Sequence, residues 1–242
     1  SSLNNGIYLL RKDSKTFENI NMQNSNGKLT SNAILSFAED HDGLIWIGTF
    51  YSGIYSYDPE NNEITHYNSN QFTNYRIPTS DVRKILVDSK GSIWLGTTEG
   101  LFVLNKGGNK ELYITSLVDK MFKSHNNHKS TSHILSLFEC SNNFLWIGTR
   151  GAGLCRYDSV NDEFKWFSGL DGFKEENIAS IIEAADGNLW ISGNSGLTKL
   201  NIKTNQTTNY TANDGLLSDD FNFNAALRDD HGTLYFGNYR GI

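Results

Sequence analysis

Five short stretches hold the side chains of this chain best suited to recognising a small molecule: Phe50-Tyr51-Ser52, Thr98-Glu99, Arg150-Gly151-Ala152, Asn194-Ser195 and Asn238-Tyr239-Arg240. They differ from one another, while the residues on either side of them recur. A tyrosine ring stacks on the face of a sugar, and an arginine fork pairs with a carboxylate or sulfate. Tyr51, Glu99, Arg150, Asn194, Tyr239 and Arg240 are therefore the candidate ligand contacts, the bland alternative being a set of solvated loop residues. Candidates for covalent or metal chemistry are weaker. His125 and His128 stand three apart in a polar loop, but Lys123 and Lys129 flank them and disfavour a bound cation. Asp171, Glu175 and Glu176 could pair as carboxylates, although the run from 169 to 177 reads as a solvated turn. Asp219-Asp220 and Asp229-Asp230 likewise read as capped or exposed turns. Spacing alone yields no Ser-His-Asp or Cys-His arrangement, so no catalytic residue, metal ligand or cofactor is assigned.

The elements that must position these residues repeat. Leu44-Ile45-Trp46-Ile47-Gly48-Thr49 returns as Ile93 to Thr97, as Leu145 to Thr149, as Leu189 to Gly193 and, in degenerate form, as Leu234 to Gly237. From Trp46 through Trp94, Trp146 and Trp190 to Tyr235 the spacings are 48, 52, 44 and 45 residues. Such a period marks a modular array. Ahead of each copy lies a short apolar run, then a tight turn such as Asp42-Gly43, Asn142-Asn143 or Asp186-Gly187. Behind each copy a second glycine opens another strand. Each module thus predicts four strands joined by hairpin turns. The second strand is apolar at consecutive positions, so both faces of its sheet are covered. Small four-stranded sheets repeated radially are the blades of a β-propeller; the competing β-solenoid has shorter repeats. The tryptophans should be largely buried at equivalent positions, wedged between blades.

The blades are expected at about 30–68, 81–117, 132–167 and 177–210, with a half blade at 1–22 and another at 221–242. Long connections at 69–80, holding Phe72, Tyr75 and Pro78, and at 118–131, holding the two histidines, separate the early ones. The turn at 106–109 closes the second. The halves are complementary. Cys140 closes a first strand and Cys155 lies in the third strand of the same module. Strands two apart stand about 9.5 Å from each other, beyond the ~7 Å a disulfide tolerates. Two free, buried thiols are expected, and their spacing matches no zinc pattern.

Composition is that of an ordinary folded domain, with 38% hydrophobic and 20% charged residues. A net charge of −6 without a basic cluster argues against direct nucleic-acid contact. No apolar run approaches the ~18 residues needed to span a bilayer. The chain opens Ser1-Ser2-Leu3 without Met, which reads as an excerpt of a longer protein.

The module Ile-x-Ser-x-x-Glu-x-x-x-Gly-x-Leu-Trp-Ile-Gly-Thr-x-x-x-Gly-Leu, seen nearly intact at 178–197 and 34–54, resembles the two-component regulator propeller repeat. The resemblance runs through all copies, and the last one, from Phe221 to Ile242, resembles that family's divergent final repeat. It implies the periplasmic sensor region of a hybrid two-component system of the Bacteroidetes type, anchored in the inner membrane and dimerising through other domains. Two seven-bladed propellers and a β-sandwich domain would lie outside the membrane, and a histidine kinase, receiver and DNA-binding transcription regulator inside. The implied ligand is an oligosaccharide released from a glycan, with no catalysis by the propeller itself. Seven-bladed rings in the family favour an arc of such a ring here over a five-bladed ring closed through 6–20 and 221–237. A propeller lyase and a protein-docking scaffold are the alternatives.

Overall fold

The computed structural model describes residues 5–67, 81–106, 112–125, 133–167 and 172–241. Phe72, Tyr75, Pro78, the turn at 107–109, His128, Asp171 and Ile242 lie outside the described residues. The chain divides into two compact units, Ser1–Leu117 and Val118–Ile242.

The first unit opens with a half blade of two strands, Ile7–Leu9 and Glu18–Ile20. Blade 1 follows with Ile34–Glu39, Ile45–Thr49, Ile54–Asp58 and Glu63–Tyr67, and blade 2 with Val82–Val87, Ile93–Thr97, Leu101–Lys106 and Leu112–Ser116. In the second unit, blade 3 comprises Ile134–Glu139, Leu145–Thr149, Leu154–Asp158 and Glu163–Phe167. Blade 4 comprises Ser180–Glu183, Leu189–Ser192, Leu197–Leu200 and Thr207–Tyr210, and a closing half blade pairs Phe221–Arg228 with Leu234–Asn238. Every sheet is antiparallel and ordered as the chain runs, the all-β, four-stranded pattern the repeats predict.

The repeat is a repeat of register. Trp46 stands opposite Ala38 and Ser56, Trp94 opposite Leu86 and Val103, Trp146 opposite Phe138 and Arg156, and Trp190 opposite Ile182 and Lys199. In blades 1 to 3 the first strand slips one residue against the second after its opening residue, at Ile34/Ser36, Val82/Lys84 and Ile134/Ser136. The slip leaves Ser36 and Ser136 facing the next blade, where their hydroxyls donate to the carbonyls of Val82 (3.3 Å) and Ile178 (3.1 Å). The glycine of Trp-Ile-Gly-Thr permits that approach. A Cβ on Gly48 would lie 2.6 Å from the Val82 oxygen, and one on Gly148 would lie 2.5 Å from Ile178 Cγ2.

Trp46, Trp94 and Trp146 are buried as expected, and Trp146 belongs to a buried cluster spanning blades 3 and 4 with Phe167, Phe173, Ile178 and Leu189. Trp190 is less completely buried than the other three. Its ring is stacked on Tyr210 at 5.4 Å and covered by the Lys199 ammonium at 5.7 Å, so a snorkelling lysine takes the place of apolar cover. The residue closing the first strand also matters. Asp40 and Asp88 accept the indole N–H of Trp46 (2.7 Å) and Trp94 (2.8 Å). Cys140 stands in that place in blade 3, and Trp146 Nε1 finds no acceptor among the described residues. Both cysteines are free and buried, and burial pushes the Cys155 thiol well up.

The connection after blade 2 contains an element the sequence reading omits, a helix at Val118–Ser124. It lies along the outer strand of blade 3 and buries Met121. Lys120 pairs with Asp162 at one end of that strand, and Ser124 accepts the Trp166 indole N–H (2.9 Å) at the other. An unpaired sheet edge is thereby covered. Apolar residues at 118, 121 and 122 carried the helical spacing, in a segment too short for periodicity to separate from a loop. Among the described residues no helix is long and apolar enough to cross a membrane.

Candidate functional site

The turns between second and third strands are held by their backbones and leave their side chains to solvent. Thr49, Thr97 and Thr149 donate their hydroxyls to the carbonyls of Gly53 (2.8 Å), Gly100 (2.9 Å) and Gly153 (2.8 Å), closing each turn from inside. The threonine is a turn lock. The next residue ties the turn to the start of its own blade: Phe50 N–H donates to Ala33 O (3.0 Å), Thr98 to Asp81 O (3.3 Å) and Arg150 to His133 O (2.8 Å). The glycine opening strand three reaches the connection leading to the following blade. Gly6 N–H donates to Asn32 O (3.0 Å), Gly153 to Glu176 O (3.1 Å) and Gly196 to Asp219 O (2.8 Å). In each unit, turns and connections therefore gather at the same end of the blades.

All six predicted contacts are exposed on these turns. In the first unit Tyr51 and Glu99 occupy the turns of blades 1 and 2. In the second unit Arg150, Asn194 and the pair Tyr239-Arg240 occupy three successive turns, from blade 3 to the closing half blade. Tyr239 is 79% exposed and Tyr51 70%. Tyr51 also has φ of 63°, an uncommon conformation for a bulky residue, and its ring meets Phe50 edge-on at 4.1 Å. The Arg240 N–H donates to Asn238 Oδ1 (2.8 Å), which fixes the last turn while the guanidinium stays at the surface.

Two side chains are placed otherwise than the sequence suggests. Glu175 is 6% exposed and is no solvated turn carboxylate. Its oxygens accept the N–H of Asn177 (2.9 Å) and of Ser195 (2.7 Å), so it braces the turn that carries Asn194. Blade 4 has Gly193 where the other blades have the locking threonine, and a Cβ there would lie 2.2 Å from the Glu175 carboxyl carbon. The carboxylate occupies the space the threonine would fill. The break from Gly-Thr to Ser192-Gly193 was the available signal. His125 follows the helix and packs edge-on against Trp166 at 4.3 Å, with Trp166 opposite Cys155 near the turn end of blade 3. Asp229 caps its hairpin by accepting the N–H groups of Thr233 (2.8 Å) and His231 (3.0 Å), which with Tyr235 holds its carboxyl below the usual range. Among the described residues no three His, Cys, Asp or Glu side chains are grouped to hold a metal ion.

The sequence model of the two component regulator propeller matches residues 28–51 and 76–99, each stretch running from ahead of a first strand into the turn at Tyr51 or Glu99. Those two stretches match the two-component regulator propeller repeat. Histidine kinase P4 of Formosa agariphila is 32% identical over 243 residues, covering 100% of this chain, and the chain spans 17% of that relative's length. Among solved structures, the extracellular domain assigned to a hybrid two-component system of B. thetaiotaomicron aligns over 96% of this chain and 35% of its own, at 19% identity and a TM-score of 0.59. PorZ, a surface component of the type-IX secretion system of Porphyromonas gingivalis, aligns over 99% and 36%, at 15% identity and a TM-score of 0.72. Virginiamycin B lyase of Staphylococcus aureus aligns over 86% and 68%, at 13% identity and a TM-score of 0.60. At these identities the shared feature is the fold, a β-propeller. In these propeller repeats glycine and threonine form the frame, and the six exposed positions are where the copies differ.

Proposed function

We propose that this propeller is the ligand-sensing part of a membrane-anchored hybrid sensor histidine kinase, that it faces the periplasm, and that it takes an acidic oligosaccharide. The observation that carries the reading is the similarity, along the whole chain, to a histidine kinase of which the chain spans 17%. Kinase chemistry and transcriptional output would belong to other parts of the protein, as would dimerisation, and the propeller itself would bind without catalysing. In the second unit, Arg150 and Arg240 supply cations for a ligand carboxylate in a chain of net charge −6, and the exposed Tyr239 ring suits a sugar face. In the first unit Tyr51 offers a second ring, and the Glu99 carboxylate would accept hydrogen bonds from sugar hydroxyls. A lyase reading rests on fold likeness alone, and fold does not carry function.

The test is calorimetry on the complete sensor region with uronate-bearing and neutral oligosaccharides. Losing a charge-assisted hydrogen bond costs about 1.5–3 kcal/mol, so Arg150→Ala or Arg240→Ala should weaken uronate binding about 10- to 150-fold. Neither variant should alter the melting of the blades. Unchanged affinity in both variants and in Tyr51→Ala would remove these turns as the binding surface.

A further inference from the structure

A cleft of about 400 Å³ opens in the first unit between the N-terminal half blade and blade 1. It lies by Tyr57 and Asn62, at the far end of strand three from the Tyr51 turn. Its volume falls in the range of small-molecule sites. Ile20, Ile64 and the Tyr57 ring give it apolar lining, and Asn24, Asn26 and Asn62 line it with carboxamides. Glu18 and Lys28 also line it, so its formal charges balance.

We infer that this cleft binds a neutral carbohydrate of disaccharide size. A carboxamide offers a donor and an acceptor side by side, which matches a pair of adjacent hydroxyls. A fourth lining asparagine, Asn19, already donates its amide to the carbonyls of Asn5 (2.8 Å) and Ile7 (3.2 Å); the other three around an apolar lining match a sugar ring, whose edge is polar and whose faces carry C–H groups. Two of the three are already oriented. Asn62 Oδ1 accepts from the Tyr57 hydroxyl (2.9 Å) and from Arg11 (3.3 Å), which leaves its amide nitrogen to donate elsewhere. Asn24 is held through both ends, accepting from Asn21 N–H (2.8 Å) and donating to Asn19 O (2.7 Å). The third, Asn26, adopts φ of 53°, and its side chain makes no hydrogen bond to another described residue. The same contacts disfavour an extended peptide. Strand addition needs free carbonyls on the outer strand of the half blade, and Asn24 already occupies that of Asn19. The inference stands on this lining and is independent of the ligand proposed for the turns.

Methyl NMR on the complete sensor region, titrated with maltose, cellobiose and lactose, tests it. At least one sugar should move the Ile20 and Ile64 methyl signals saturably. Asn26→Gly keeps the left-handed backbone while removing the amide, and Asn62→Ala removes the oriented donor. Each should weaken that sugar about 5- to 10-fold, the effect of one or two neutral hydrogen bonds. Arg150→Ala should leave it unchanged, which separates this cleft from the turns. Methyl signals that ignore all three sugars, or shifts that persist at full affinity in both asparagine variants, would overturn the inference. So would saturable shifts from an unstructured neutral hexapeptide in place of any sugar.

Discussion

Blades 1 and 3 are the same module built with one different residue at a decisive place. Their first two strands share register, with Ile34 opposite Thr49 and Ile134 opposite Thr149, and the same one-residue slip follows in each. Both send a serine hydroxyl to the next blade and both lock the turn through a threonine. Both close strand three on a tyrosine bonded across the next hairpin, Tyr57 to Asn62 (2.9 Å) and Tyr157 to Asp162 (2.7 Å). At the end of the first strand they part. Asp40 accepts three donors at once, the Trp46 indole (2.7 Å) and the N–H groups of Asp42 (2.9 Å) and Leu44 (3.1 Å). Cys140 accepts none of these, and Trp146 is 1% exposed with its indole N–H unpaired among the described residues. An unsatisfied buried donor costs about 1–3 kcal/mol. That blade 3 keeps its register regardless shows where the frame resides: in glycine clearance, the serine and threonine bonds, and apolar fill. The acid is reinforcement laid over it.

Removing the reinforcement should give the largest difference between the two blades. Asp40→Ala strands the buried Trp46 indole and two part-buried N–H groups and should cost about 3 kcal/mol, or about 6–12 °C of Tm for a chain of this length. Cys140→Ala trims one small apolar group and should cost about 1 kcal/mol, or about 2–4 °C. Thermal melts followed by circular dichroism compare them. Equal losses would mean that the acid does nothing the thiol does not, and the contrast drawn here would collapse.

The frame was legible because it is written in residue types with few alternatives. Gly48 and Gly148 stand where a Cβ would strike the next blade, and the tryptophan marks a pleat position that every copy needs. What escaped was anything held by a contact between distant segments. Glu175 looks like a surface carboxylate until Gly193, eighteen residues on, leaves the space it fills. The helix Val118–Ser124 gains its stability from the outer strand of blade 3, since seven residues would not be helical alone. The amide-lined cleft needs the outer strand of one blade and the hairpin of the next, whose residues lie about forty positions apart. The six turn residues were found because variation inside a constant frame is visible within a single repeating chain.

Restoring the reinforcement is the reverse experiment and should have a smaller effect. Cys140→Asp places an acceptor where Asp40 and Asp88 have one, within reach of the Trp146 indole. The gain is opposed by the neighbouring Glu183, whose carboxylate already accepts the Ser141 N–H (2.8 Å) and hydroxyl (2.7 Å). A net stabilisation of about 1 kcal/mol is expected at neutral pH. It should vanish in the Trp146→Phe background, which keeps an aromatic ring and lacks the donor. A gain that survives that background would place its origin outside the indole bond.

The smallest effect concerns a feature the two blades share and blade 4 lacks. Asp58 accepts the N–H groups of Glu60 (2.9 Å) and Asn61 (3.2 Å), and Asp158 those of Val160 (2.9 Å) and Asn161 (3.2 Å). In each turn the asparagine side chain adds a further donor, at 2.7 and 2.8 Å. These bonds, the side-chain amide first, hold both carboxyls below their ordinary value. A depressed folded pKa gives stability that is present above the unfolded value of about 3.9 and is lost as pH falls through the folded one. Blade 4 builds the same turn on Asn201, whose amide oxygen accepts from Lys203 (3.0 Å) and Thr204 (3.1 Å) and does not titrate. The double variant Asp58→Asn, Asp158→Asn should therefore give blades 1 and 3 the pH-insensitive turn of blade 4. Urea unfolding at pH 7 and pH 3 measures the outcome. Stability at pH 7 should change little, because an asparagine oxygen can accept the same turn N–H bonds, as Asn201 does in blade 4, and the loss on going to pH 3 should be smaller than in the parent protein. An undiminished loss would assign the acid sensitivity to other carboxylates, with Asp162, depressed by Lys120 and then Tyr157 in blade 3 alone, the next to replace.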